Sequence, residues 1–356
     1  MASIKLKGDT SGEVIISAPS VAGNTTLTLP ATSSTLATQN SLGVRNRIIN
    51  GDMRIDQRNA GASVTPANGA YLLDRYQVIR TQASKFSAQQ VTDAPVGFTN
   101  SMRITSLSAY SVVASDIFHV MQKIEGFNVS DLAWGTANAQ SVTVSFWAKS
   151  SLTGTFGGSL VNSAEDRSYP FTYTISSANT WEYKTVTVAG DTTGTWLTNN
   201  GIGIRCHFTI GVGSNYTATA GAWTAGAKFA PTGATSVVGT SGATLYITGV
   251  QLEAGNVATP FERRLYSQEL AMCQRYYEVV ITNDANGFYG TPAPSGQVGY
   301  SNYFYQTTKR AAPTIVLGAG GTLPTLQVSG QSGFSSYASA GLYARINTGT
   351  TISSEL

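Results

Sequence analysis

Apolar and polar residues alternate with period two along most of this chain, the pattern of strands that bury one face. In 141–148, Val142, Val144 and Phe146 point one way and Thr143, Ser145 and Trp147 the other. The run 201–212 keeps the alternation longer, setting Ile202, Ile204, Cys206, Phe208, Ile210 and Val212 opposite Arg205 and His207. Similar segments recur at 76–80, 101–105, 181–188 and 244–252. Turn formers separate them, among them Thr153-Gly154, Gly190-Asp191, Thr193-Gly194 and Gly213-Ser214-Asn215. Many short strands joined by Gly-rich turns predict a jelly-roll β-sandwich over 44–261.

The flanking segments read differently. Residues 1–43 hold only short apolar runs, Ile4/Leu6, Val14-Ile15-Ile16 and Leu27/Leu29, broken by Gly8, Gly12, Pro19, Gly23 and Pro30. So little apolar surface does not sustain an isolated sheet. Ile4, Leu6, Val14, Ile16, Leu27 and Leu29 are therefore expected to pair between chains, three copies or a neighbouring ring completing each other's sheet in a trimerisation segment. At 262–280 the period lengthens: Leu265, Glu269, Met272 and Tyr276 run beside Tyr266, Leu270, Cys273 and Tyr277. Those i, i+4, i+7 steps predict one linking helix. Residues 281–356 return to strands and turns, a smaller C-terminal β domain. No fixed-period repeat suggests a propeller or solenoid. The expected fold is mainly β, a jelly-roll sandwich with an N-terminal assembly segment, a linking helix and a C-terminal β domain, forming a homotrimer.

Composition sharpens this in one respect. Charged residues are 12% of the 356, with 37 Gly and a surplus of Thr, Ser, Ala and Asn, about half the usual charged share. A surface solvated by hydroxyls and amides repels its own copies weakly, which suits an assembled subunit. The net charge of +3, from 22 Lys+Arg against 19 Asp+Glu, comes without a basic or acidic cluster, so neither nucleic acid nor an anionic membrane is an expected partner. Cys206 and Cys273 are too few for a disulfide framework and are expected to be reduced and buried. No apolar leader and no stretch of ~20 apolar residues occurs, so synthesis in the cytoplasm without membrane insertion is expected.

Several runs resemble a family of tailed-bacteriophage tail fibre and appendage proteins. The N-terminal words are 12–19 (Gly12-Glu13-Val14-Ile15-Ile16-Ser17-Ala18-Pro19) and 26–31; the main domain opens with Asn46-Arg47-Ile48-Ile49-Asn50-Gly51-Asp52-Met53, Asp56-Gln57-Arg58 and 71–76. Ser145-Phe146-Trp147-Ala148-Lys149-Ser150, the closing 247–255 and 258–264 follow, then 269–277 as the family's helix and Ser354-Glu355-Leu356 as its terminus. The resemblance spans nearly the whole chain. It implies a virion location, a middle domain similar to carbohydrate-binding jelly rolls, and partners among other virion proteins, further copies of the chain and host surface glycan. Family likeness leaves open which appendage is formed.

Candidate chemistry is sparse. The chain has no G-x-S-x-G elbow, no phosphate-binding G-x-x-x-x-G-K-[ST] loop and no H-E-x-x-H or C-x-x-C motif, and its two histidines, His119 and His207, are not joined by further ligands. No catalytic residue, cofactor or metal is expected, and His207 on its strand's polar face reads as solvated or hydrogen-bonded. Glycoside hydrolysis would need two carboxylates ~5–10 Å apart. Asp52/Asp56 and Glu165/Asp166 are the loop pairs available, each equally explained by turn capping or ordinary loop surface. Aromatic residues carry more, because sugar C–H faces stack on Trp and Tyr rings. Trp196, Tyr216 and Trp223 fall in Gly/Asn/Thr-rich loops and are the glycan-contact candidates; Trp147 and Trp181 lie in strands and read as core, with Trp147, opposite Phe146, also a groove candidate. The expected function is a non-enzymatic appendage subunit that binds host glycan. A decoration or collar fibre without a receptor, and a polysaccharide depolymerase, are the alternatives.

Overall fold

The computed structural model describes residues 3–7, 13–17, 45–280, 299–311, 313–316, 325–329, 333–338 and 350–355. The chain divides into two units, Met1–Gly43 and Val44–Leu356. In the first, β1 (Ser3–Lys7) and β2 (Glu13–Ser17) form an antiparallel pair whose register opposes Ile4 to Ile16 and Leu6 to Val14. Leu27 and Leu29, assigned to assembly from the sequence, lie outside the described residues.

The second unit is built on a β-sandwich. Its first strands are β3 (Tyr71–Leu73), β4 (Tyr76–Arg80), β5 (Phe86–Val91), β6 (Ser101–Ser106) and β7 (Ile117–Glu125). Then come β8 (Val142–Ser150), β9 (Gly154–Val161), β10 (Arg167–Ile175), β11 (Glu182–Val188) and β12 (Ile202–Val212). Three two-residue strands, β13 (Thr217–Ala218), β14 (Thr224–Ala225) and β15 (Ala230–Pro231), precede the long β16 (Thr244–Ala254). One sheet has seven strands in the order β14-β10-β9-β12-β7-β4-β3, the other five in the order β11-β8-β16-β6-β5. Every pairing within these two sheets is antiparallel.

The alternation read from the sequence is what closes the sandwich. Val142, Val144, Phe146 and Ala148 of β8 point inward, as do Ile204, Cys206, Phe208 and Ile210 of β12, and all are buried in one core. Phe146 bridges the sheets edge-to-face, 5.0 Å from the ring of Phe208 and 4.9 Å from that of Tyr173. Burying one such side chain contributes about 2–3 kcal/mol. Both cysteines are buried and free, as expected.

Two local expectations are corrected. The helix is shorter than 262–280: α1 covers Tyr266–Gln274, and the chain turns into β17 (Tyr277–Val280). Leu265 and Tyr266, counted into the apolar stripe, are exposed, whereas Glu269 is buried and accepts the Asn50 backbone N–H at 2.5 Å. The helix stops because Tyr277–Val280 pairs with β22 (Thr350–Ser353), which also pairs with β19 (Thr314–Val316). A further sheet orders β18 (Gly299–Phe304), β21 (Gly333–Ala338) and β20 (Thr325–Ser329) side by side. The second correction concerns His207, which is buried, not solvated. The loop after β12 folds back and lays Phe229 on the outer face of the seven-stranded sheet, 5.1 Å from the His207 ring and 4.9 Å from that of His119.

Candidate ligand-binding face

The outer face of the five-stranded sheet gathers four aromatic side chains that the core leaves out, Trp147, Trp181, Tyr183 and Tyr246. Because period two sends alternate residues outward, each outward position on β8 and β16 meets outward neighbours across the sheet. The register sets Tyr183 of β11 against Trp147 of β8, and Trp147 against Thr248 of β16. One step along, Lys149 opposes Tyr246, Tyr246 opposes Arg103 of β6, and Arg103 opposes Gln89 of β5. Trp181, two residues before Tyr183, joins this second row. The rings of Trp147 and Tyr183 lie 5.4 Å apart and those of Trp181 and Tyr246 6.0 Å apart. Trp147, Trp181 and Tyr246 are half-buried and Tyr183 is exposed, so all four present ring surface to solvent.

A charged clamp fixes one end of the face. The Lys149 ammonium sits 4.2 Å from the Tyr246 ring centroid and 5.2 Å from that of Trp181, and it pairs with the carboxylate of Asp93 from the β5–β6 loop. The Trp181 indole N–H donates to the same carboxylate at 3.2 Å. Partial burial pushes the Asp93 carboxyl up, but the hydrogen bonds from Lys149 and Trp181 outweigh it and hold the group below its ordinary value. Asp93 thus stays ionised and orients Trp181 from outside the sheet.

The middle depends on Gly249. It occupies a register break between Thr248 and Gln251 with φ of 62°, a left-handed conformation that favours glycine. A Cβ here would stand 2.8 Å from Phe98 Cζ and 3.2 Å from Trp147 Cδ1. Its absence lets both rings settle over the strand. Beyond Phe98, Phe261 packs edge-on at 5.2 Å, and Arg263 lies over Phe98 at 4.6 Å.

The candidate residues from the sequence do not share one surface. Trp147 belongs to this face, and Trp181, read as core, sits beside it. Trp196 and Trp223 instead form a cluster with Trp134, centroids 4.7 to 5.3 Å apart, packed against the sandwich core. Their indole N–H groups donate to the carbonyls of Thr193 and Ala189, leaving those donors nothing to offer a ligand. Tyr216 stacks on Phe229 at 5.7 Å, above the two histidines. Tyr183 and Tyr246 were missed, although strand alternation carries their signal: Tyr183 stands outside Val186 and Val188, and Tyr246 stands between inward Leu245 and Ile247.

The carboxylate pairs considered for hydrolysis are engaged locally. Asp52 pairs with Arg54, and Asp56 accepts the backbone N–H groups of Asn59 and Gly61. Glu165 pairs with Arg205, and Asp166 accepts from Asn162. Among the described residues, no group of three or more His, Cys, Asp or Glu side chains could hold a metal ion, and no helix is long and apolar enough to cross a membrane.

No protein-family model matches the chain, and no curated protein matches it in sequence. Solved structures with a similar fold include carbohydrate-binding modules. The Family 11 module of a cellulosomal cellulase of Clostridium thermocellum is 12% identical over 55% of this chain and 100% of that chain, with a TM-score of 0.28. TmCBM61, solved with beta-1,4-galactotriose, is 10% identical over 59% of this chain and 99% of that one, at a TM-score of 0.30. The enzymatically active domain of bacteriophage CBA120 tailspike protein 4 is 11% identical over 54% of this chain at a TM-score of 0.32, and the match spans only 21% of the tailspike.

Proposed function

We propose that this chain is a non-enzymatic, glycan-binding subunit of a bacteriophage virion appendage, attached through its N-terminal segment and working as a homotrimer. The observation that carries the glycan part is the double row Tyr183/Trp147 and Trp181/Lys149/Tyr246 on an open sheet face. Flat ring surface next to fixed polar groups is what a sugar requires, its C–H face on the rings and its hydroxyls on the amides and charges at the edge. Covering roughly 100 Å² of ring surface contributes about 2–3 kcal/mol, a weak site by itself. Three linked copies turn later contacts into intramolecular ones, so avidity makes such a site useful. The low charge and the short strands of the N-terminal segment support the trimer, and the resemblance of runs such as 145–150 and 247–255 to tail fibre proteins supports the virion setting.

The test is binding of purified, labelled protein to host cells, with the length of the surface polysaccharide followed in parallel. Saturable binding that drops when Trp147 and Trp181 are both replaced by Ala, with polysaccharide length unchanged, is the expected result. Binding unaffected by that pair removes the aromatic face, and shortening of the polysaccharide replaces the reading with a depolymerase. No binding at all leaves a decoration or collar fibre. A monomer by light scattering removes the trimer.

A further inference from the structure

Around Tyr246 the aromatic face sets two cations, Lys149 and Arg103, beside one carboxylate, that of Asp93. Lys149 is matched by Asp93. Arg103, directly across from Tyr246 in the register, has no carboxylate partner among the described residues. Among the described residues its side chain donates one hydrogen bond, from Nη2 to the Gln89 side-chain oxygen at 2.5 Å, and its buried Nε finds no acceptor. Gln89 is anchored in turn, its amide donating to the Gly61 carbonyl at 2.9 Å. A neutral amide therefore positions the guanidinium without neutralising it. The Arg103 charge reaches Asp93 only as a lesser influence behind Lys149 and Trp181, which already occupy that carboxylate. At the far border the exposed Arg263 rests on the rings of Phe98 and Phe261, 4.6 and 5.7 Å away, again without a carboxylate among the described residues.

A half-buried cation that lacks an internal partner has given up water without full compensation, and a bound anion restores it. A guanidinium fork matches a carboxylate in two parallel hydrogen bonds, a geometry a neutral hydroxyl cannot reproduce. We infer that the face takes an acidic glycan, a chain containing uronic-acid or other carboxylate-bearing sugars, with the carboxylate on Arg103 and adjoining rings stacked on Tyr246, Trp181 and Trp147. The inference rests on the glycan reading and names its ligand class.

The experiment compares an oligogalacturonate with the same chain after its carboxyl groups are reduced to alcohols, binding each at fixed salt to the full-length protein. Wild type is expected to bind the acidic chain roughly ten- to a hundredfold more tightly, the range for hydrogen bonds to a charged group. Arg103→Gln removes that preference and leaves binding of the reduced chain in place, while Arg103→Lys recovers part of it. Circular dichroism melting confirms that each variant is folded. Equal binding of both chains by wild type, or an Arg103→Gln protein that keeps the preference, overturns the inference. If the reduced chain binds and Trp147→Ala abolishes it, the glycan reading survives that failure. If neither chain binds, both readings fall.

Discussion

His119 and His207 make the stability of this protein a function of pH, and the size of the effect follows from their burial. The two rings meet edge-to-face at 4.4 Å, are 2% and 1% exposed, and among the described residues none of their four nitrogens has a hydrogen-bond partner. Burial is the first cause that lowers both; the positive charge of Arg205 adds to it, and for His207 so do His119 and Lys123. His119 is brought down from 6.5 to about 3, and His207 falls well below its ordinary value. Both are thus neutral in the fold at pH 5 and protonated once unfolded, so unfolding takes up protons. Their contribution is intact above the unfolded value near 6.5 and is lost as pH falls below it. Between pH 8 and 5 each ring costs about 2 kcal/mol, about 4 for the pair. Asp74 works against this: burial raises its carboxyl to about 6 despite hydrogen bonds from Gln57, so acidification favours the fold there by about 1 kcal/mol. Urea unfolding of wild type should therefore show about 3 kcal/mol less stability at pH 5 than at pH 8. The double variant His119→Leu/His207→Leu keeps Asp74 and loses the two titrations, so its stability should hold or rise slightly over the same interval. The difference between the two proteins, about 4 kcal/mol, isolates the histidines. Identical pH dependence in both would show instead that the pair is hydrated or partnered in solution.

Three further outcomes follow from the same structure. Gly249→Val should lower binding to host cells at least tenfold while costing about 1–3 kcal/mol in stability, since a side chain at positive φ collides with Phe98 and Trp147; unchanged binding in a folded variant would remove the bulge from the site. Asp93→Asn should weaken glycan binding by releasing Lys149 and Trp181. Because the Asp93 carboxyl lies below its ordinary value, its ordering of Trp181 is present above about pH 4 and lost in stronger acid, and Trp181 fluorescence titrated from pH 6 to 2 checks this. Trp223→Ala should cost about 2–4 kcal/mol in thermal or urea unfolding, because it empties the cluster with Trp134 and Trp196. The same variant should leave glycan affinity within twofold of wild type, and a selective loss of binding without loss of stability would return Trp223 to the list of contact residues.

The division between what was legible and what was not follows the range of the forces involved. Period-two alternation is local: it identified β8 and β12 as strands and separated Val142, Val144 and Phe146 from Thr143, Ser145 and Trp147, because a residue's face depends only on its parity along the strand. The short helix shows the limit of periodicity. The stripe through Tyr276 and Tyr277 fitted a helix as well as any other element, and pairing of β17 with the distant β22, from Tyr277 opposite Ser353 to Val280 opposite Thr350, decided the matter. The loop aromatics show it again. A Trp flanked by Gly and Thr gives no sign of whether it meets water or another Trp, and only the return of three loops to one edge of the sandwich put Trp134, Trp196 and Trp223 together. His207 had the parity of a polar face, but covering that face took Phe229, contributed by a loop that no pattern along β12 predicts. The sequence alone thus determined which residues look inward and which outward on each strand. What covers the outward faces, Phe229 over one sheet and open ring surface on the other, was decided by the tertiary structure, because long-range packing brings distant segments over a face whose own pattern is the same either way.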